Sequence, residues 1–204
     1  MFVIGLTGGI GSGKSTVTEM LRAKGAAVVS ADGIGHEVYQ PGTAALDEIV
    51  SAFGRQVLTA DGQVDRRKLG SIVFADPEAR RRLNAIVHPP MRRLMAERLD
   101  KLRRHGVSVA VLEAAILIEA GWDDLTDEVW LVLVRPAVAA QRLMERSDLS
   151  ADDAEARIAS QLSNEERLQH ADVTIDTDCS LTEVARRVDE LWEGLMARLA
   201  ARAS

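Results

Sequence analysis

At 204 residues the chain exceeds the usual single-domain size of roughly 100–150 residues without reaching two domains, so one core with an appended lid or subdomain is expected. Its 47% hydrophobic and 27% charged content suits a soluble globular protein, and with 3% aromatic residues the core is expected to be aliphatic. Cys179 alone excludes an internal disulfide framework, four scattered histidines offer no metal-ligand cluster, and a net charge of −6 argues against nucleic acid as a non-specific partner.

The apolar start, Met1 to Ile10, is too short and too broken by glycine to span a membrane, and it lacks the basic leader of a secretory signal. A cytoplasmic location with no membrane partner is the expectation. Phe2 to Thr7 reads as a buried strand, continuous and aliphatic rather than alternating. It runs into Gly8-Gly9-Ile10-Gly11-Ser12-Gly13-Lys14-Ser15-Thr16, which matches G-x-x-x-x-G-K-[ST]; a helix is expected from this loop to about Lys24, stopping at Gly25. Strand before and helix after make the segment a phosphate loop. Its glycines let backbone amides turn inward, the helix start adds its dipole, Lys14 reaches the β and γ oxygens, and the Ser15 hydroxyl ligates Mg²⁺. ATP or GTP is the expected ligand of Gly8 to Thr16.

Ala26 to Ser30 reads as the second strand, and Asp32 follows two residues beyond it. A kinase needs an acid there, beside the phosphate loop, to accept or orient the acceptor hydroxyl; capping the next helix is the other role open to Asp32. Thr43 to Phe53 has helical spacing, and Asp76-Pro77-Glu78 opens another helix that His88-Pro89-Pro90 is expected to break or kink before it resumes toward Arg104. The stretch 31–106 is far longer than a minimal crossover and is the natural substrate region. It is also basic: Arg55 to Arg104 holds thirteen Lys/Arg against six Asp/Glu, +7, leaving −13 for the remainder.

Val107 to Leu112 forms the third strand, with Glu113 at its end able to hold metal through water or to orient Asp32. After the fourth strand, Val129 to Val134, Arg142 and Arg146 lie one helical turn apart and Arg157 one helix later, candidates to compensate charge on a transferring phosphoryl group. Ser150-Ala-Asp-Asp153 resembles a capping box and Ser180-Leu-Thr-Glu183 reads as one. Asp172 to Ile175 is the fifth strand, and Val184, Val188, Leu191, Trp192, Leu195 and Leu199 form one stripe of a terminal packing helix. Strand-helix alternation predicts a parallel sheet covered on both faces.

A nucleotide site serves switches and motors as well as kinases. None of the four lysines follows asparagine, so the guanine-reading Asn-Lys-x-Asp element is missing, and Val109-Ala-Val-Leu-Glu113 ends in one acid rather than a motor's adjacent pair. A small-molecule kinase fits better than either. Another metabolite or nucleotide kinase, or a nucleotide-sensing regulator, are the alternatives.

Over nearly its whole length the chain resembles the dephospho-coenzyme A kinase family. The matching residues are Ile4 to Thr16, Ala31-Asp32, Asp61-Gly62 with Asp65-Arg66 and Leu69, Val73-Phe74, His88-Pro89, Gln141-Arg142 with Arg146, Arg157 with Gln161, Ala171-Asp172, and Ile175-Asp176. Ser30 stands where the family usually has the first acid of Asp-Ala-Asp, which moves the catalytic expectation onto Asp32. The segment Glu113-Ala-Ala-Ile-Leu-Ile-Glu119 is similar to the kinase domain of bifunctional coenzyme A synthases. The resemblance implies a P-loop NTPase-type α/β fold, with a parallel five-stranded sheet in the order 2-3-1-4-5 flanked by helices, a helical substrate-binding insertion at 31–106 and a helical lid at 140–165. It implies transfer of the ATP γ-phosphoryl group, with Mg²⁺, to the ribose 3′-hydroxyl of dephospho-coenzyme A. Asp32, Lys14 and Arg142 are then the catalytic residues, with Arg146 on the nucleotide and Arg66, His88, Arg92 and Glu113 joining Asp32 on the acceptor.

Overall fold

The computed structural model describes residues 1–147 and 149–203; Asp148, inside the expected lid, lies outside the described residues. Five strands, β1 (Phe2–Thr7), β2 (Ala27–Ser30), β3 (Val109–Glu113), β4 (Glu128–Leu133) and β5 (Val173–Asp176), pair in the order β2-β3-β1-β4-β5. The expected order and α/β layering are thus observed. In the parallel ladders Leu6 stands opposite Glu113 and Trp130, and Leu133 opposite Asp176. The helices are α1 (Lys14–Ala23), α2 (Ala31–Val38), α3 (Ala44–Phe53), α4 (Arg66–Ala75), α5 (Pro77–Arg104), α6 (Pro136–Ser147), α7 (Ala151–Ala159), α8 (Asn164–Leu168) and α9 (Leu181–Ala203).

Contacts divide the chain into two compact units, residues 1–29 with 101–204, and residues 30–100. In the first, strand alternation sends Phe2, Ile4 and Leu6 to one sheet face with Val109, Val111, Trp130, Val132 and Ile175. Val17 and Leu21 of α1 and Val184, Val188 and Leu195 of α9 cover that face, with Leu191, Trp192 and Leu199 packed at its margin as the terminal stripe predicts. Each such aliphatic side chain contributes about 1.5–3 kcal/mol on burial. The core is not wholly aliphatic, however. Trp122 and Trp130 are fully buried, and Trp130 can be so because its indole N–H donates to Glu128 Oε2 (3.1 Å).

The second unit is helical. Thr43 caps α3 by accepting from Leu46 N (3.3 Å), and Asp65 caps α4 by accepting from Arg67 N and Lys68 N (3.1 Å each). Ile34, Val38 and Ile49 are buried, and Gly35 of α2 faces Met91 of α5. Of the break or kink expected at His88-Pro89-Pro90, a break does not occur, for α5 is one helix through both prolines. Each proline costs a helix interior about 3 kcal/mol or more. Val87, Met91, Met95 and Leu99, buried at successive i+4 positions, hold the helix together across them.

Helix caps depart from expectation in detail. Ser150 and Ser180 accept from Asp153 N (3.1 Å) and Glu183 N (3.2 Å), but Asp153 takes the Ser150 hydroxyl and Glu183 takes Arg186 instead of completing a reciprocal box. The complete box is at α8, where Ser163 Oγ accepts from Glu166 N (3.1 Å) and Glu166 accepts from Ser163 N (2.8 Å).

Candidate active site

The loop from Gly8 to Thr16 leaves β1 and enters α1 within the first unit. A Cβ at Gly8 would lie 2.5 Å from the Val132 carbonyl oxygen and 2.7 Å from Ser12 Oγ, so only glycine lets the loop pass β4. Gly13 caps α1 with φ +83°, a left-handed conformation that suits glycine. Ser12 N donates to Gly9 O (3.1 Å), closing the turn, and Thr16 N and Val17 N both donate to Gly13 O (3.0 and 3.2 Å). Among the described residues, the N–H groups of Gly11, Gly13, Lys14 and Ser15 meet no protein acceptor. Four donors at the positive end of a ten-residue helix form an anion cradle.

Lys14 Nζ lies 2.9 Å from Glu113 Oε1, with the two side chains only 13% and 15% exposed. The Leu6–Glu113 register brings the end of β3 beside the loop and so sets this pair. On the flank toward β5, Arg142 of α6 donates to Gly11 O (3.3 Å), Thr177 Oγ1 (3.2 Å) and Thr177 O (2.8 Å), while Thr177 Oγ1 donates to Ser12 O (2.6 Å). Gly13, Thr16, Arg142, Thr177, Cys179, Leu181 and Val184 line a cavity of about 250 Å³ there. Arg146 and Arg157 are exposed.

The opposite flank carries contacts that sequence motifs do not announce. Ile10 N donates to Gln161 Oε1 (2.9 Å), so the α7–α8 connection is tied to the loop. Arg167 of α8 is 2% exposed and donates to Leu162 O (2.6 Å) and Glu119 Oε1 (2.8 Å); its Nη1 would lie 3.2 Å from a Cβ at Gly9. Gln161 appears in the sequence only as part of a resemblance, and Thr177 and Arg167 carry no motif at all. The contacts of Gln161 with Ile10, Thr177 with Ser12 and Arg167 with Glu119 join residues 48 or more apart and so do not follow from local spacing.

The first unit therefore brings Gly8 to Thr16, Glu113 and Arg142 together. Asp32, Arg66, His88 and Arg92 belong to the second unit. Asp32 is the second residue of α2 and exposed; Ser30, not Asp32, occupies the cap position, and it makes no side-chain capping bond. Arg66 opens α4 and is exposed, as is Arg92. His88 is half-buried, and that burial holds its pKa below the usual histidine value.

Among the described residues no group of three or more His, Cys, Asp or Glu could hold a metal by itself. The exposed Ser15 hydroxyl at the start of α1 fits Mg²⁺, which keeps its waters and is held largely by substrate phosphates. No helix among the described residues is long and apolar enough to cross a membrane.

The family model described as "Dephospho-CoA kinase" matches residues 2–183. A dephospho-CoA kinase of Geobacter sulfurreducens is 50% identical over 192 residues, 94% of this chain and 98% of the relative. Among solved structures, TT1252 of Thermus thermophilus superposes with a TM-score of 0.81 at 32% identity, covering 95% of this chain and 97% of the other. The dephospho-CoA kinase of Campylobacter jejuni gives 0.70 at 28%, covering 95% and 96%. With the phosphate loop, the β2-β3-β1-β4-β5 sheet and these matches in agreement, the chain belongs to the dephospho-CoA kinase family.

Proposed function

We propose that this chain transfers the γ-phosphoryl group of ATP to the ribose 3′-hydroxyl of dephospho-coenzyme A, the final step of coenzyme A synthesis, as a cytoplasmic enzyme. The observation that carries the chemistry is the cradle of unpartnered amides at Gly11, Gly13, Lys14 and Ser15, with the Lys14 ammonium beside it. Family membership supplies the acceptor.

Phosphoryl transfer asks the protein mainly for positioning and charge compensation. The loop amides bind the β and γ oxygens. Lys14, held by Glu113 at 2.9 Å, exchanges part of that contact for phosphate oxygens without a large movement. Ser15 is the residue that would hold Mg²⁺, which would supply Lewis-acid compensation of the charge on the phosphates. Arg142, fixed by Gly11 and Thr177, sets the loop's shape and places its positive charge at the nucleotide, with Arg146 one turn beyond. Asp32 accepts or orients the acceptor proton, supported by its place just past the carboxyl end of β2, where ligands of parallel sheets are met. Residues 31–106, with Arg66, His88 and Arg92, form the acceptor region, and 140–165 the lid.

A coupled ADP-release assay with dephospho-coenzyme A, AMP and shikimate tests this. Turnover with dephospho-coenzyme A alone is expected, and Asp32→Asn is expected to lower kcat by ~100-fold or more. Nucleotide binding without turnover of any acceptor would instead make the chain a regulator.

A further inference from the structure

We propose that Thr177 is a positioning residue for phosphate binding: its hydroxyl holds the Ser12–Gly13 peptide with the carbonyl turned outward and the Gly13 N–H turned into the cradle. The inference rests on the loop binding the phosphates of ATP, as proposed above, and deepens that reading by naming what sets one of its four donors.

The Ser12–Gly13 peptide is free to turn over. Rotating a peptide plane changes ψ of the residue before it and φ of the residue after it. Here the residue after is Gly13, at φ +83°, and glycine populates either sign of φ. The rotation leaves Gly13 O in place, so the bonds it accepts from Thr16 N and Val17 N at the start of α1 do not oppose it. On a trans peptide the C=O and N–H point in opposite directions. Turned one way, the plane offers phosphate a donor; turned over, it offers an oxygen that can only accept, which repels an anion.

Thr177 decides between the two. Among the described residues Ser12 O accepts from Thr177 Oγ1 alone, at 2.6 Å. A hydroxyl has one proton to give, and the other acceptor in reach, Leu133 O, is farther away at 3.1 Å. Arg142 Nη1 donates to the same hydroxyl oxygen from 3.2 Å, which occupies a lone pair and leaves the proton for a carbonyl. The threonine is itself anchored on both sides of its Cα, for its N donates to Leu133 O (2.9 Å) and its carbonyl accepts from Arg142 Nη2 (2.8 Å). A Cβ added at Gly13 would lie 3.4 Å from Thr177 Oγ1 and 3.5 Å from its Cγ2, so the side chain stands directly behind Gly13. At 5% exposure, water is a poor substitute for that hydroxyl. The Gly13 N–H, antiparallel to the held carbonyl, therefore points away from Thr177 and meets no protein acceptor.

Two variants and a probe without base or sugar test this. Thr177→Val keeps the branched shape and removes the hydroxyl; Thr177→Ser keeps the hydroxyl and removes the methyl. Calorimetry with inorganic pyrophosphate is expected to give a Kd raised about tenfold in Thr177→Val, the equivalent of about 1.4 kcal/mol, and within about twofold of wild type in Thr177→Ser. The KM for ATP should rise by the same factor in Thr177→Val, with the KM for dephospho-coenzyme A unchanged. In ¹⁵N-labelled protein the Gly13 amide proton should move downfield when pyrophosphate binds to wild type or Thr177→Ser, as an amide donating to an anion does, and stay in place in Thr177→Val. An equal Kd in wild type and Thr177→Val, or a loss of equal size in Thr177→Ser, overturns the assignment. So does a Gly13 amide that does not move when pyrophosphate binds to wild type, a result that needs no variant. Wild-type protein that takes up no pyrophosphate overturns the cradle and this inference together. Wild-type protein that binds pyrophosphate but turns over no acceptor overturns the proposed function alone, and the pyrophosphate readings still decide on Thr177.

Discussion

Replacing Glu119 by alanine takes the carboxylate from a guanidinium that water barely reaches. Arg167 is 2% exposed and keeps, after the change, one good acceptor, Leu162 O at 2.6 Å; its Nε already has no partner. Breaking a buried ion pair from one side costs about 3–5 kcal/mol because the remaining charge stays desolvated. The Glu119 side chain is 22% exposed, so water admitted from that side offsets part of the loss, and about 2–3 kcal/mol is expected. Arg167→Met behaves differently, since it removes the charge that had to be compensated and leaves Glu119 able to turn to solvent. Its expected cost is about 1 kcal/mol, and adding Glu119→Ala to it should cost almost nothing more. Urea unfolding of the four proteins in a double-mutant cycle then gives a coupling of about 2 kcal/mol. Equal and additive losses, or a Glu119→Ala loss below about 0.5 kcal/mol, would refute the claim that the pair matters because its cation is buried.

Two further outcomes follow from geometry near the loop and from burial in α5. Gly8→Ala sets a Cβ 2.5 Å from Val132 O, and since that neighbour is backbone the loop must move; affinity for a non-hydrolysable ATP analogue, measured by calorimetry, should fall by at least about tenfold, and unchanged affinity would show that the loop has room. Burial disfavours the charged form of His88 and lowers its folded-state pKa below the ordinary 6.5. Below that value the unfolded chain binds the extra proton more readily, so this contribution is complete above the ordinary value and lost as pH falls through the lowered one. His88→Gln should therefore flatten the decline of stability as pH falls below the ordinary histidine value, and an identical slope in both proteins would remove His88 as its source.

What was legible in the chain was local. The five strands are continuous aliphatic runs, and their observed bounds lie within two residues of those runs at each end. The phosphate loop is legible because its amides, glycines and lysine act within nine consecutive positions. Its partners are not local. Glu113 reaches Lys14 across 99 residues, Gln161 reaches Ile10 across 151, and Thr177 reaches Ser12 across 165. None of these follows from spacing, because each depends on which strand lies beside β1.

Once the order β3-β1-β4-β5 is known, the pairing becomes almost obligatory. Leu6 opposite Glu113 puts a carboxylate at the mouth of the loop, and an ammonium as little exposed as that of Lys14 would be costly there without it. Leu133 opposite Asp176 carries Thr177, one residue on, to the loop floor, where its hydroxyl meets Ser12 O and its carbonyl meets Arg142. The same reasoning accounts for α5. Pro89 and Pro90 predict a break only while the helix is considered alone; four buried side chains on one line outweigh two missing N–H groups.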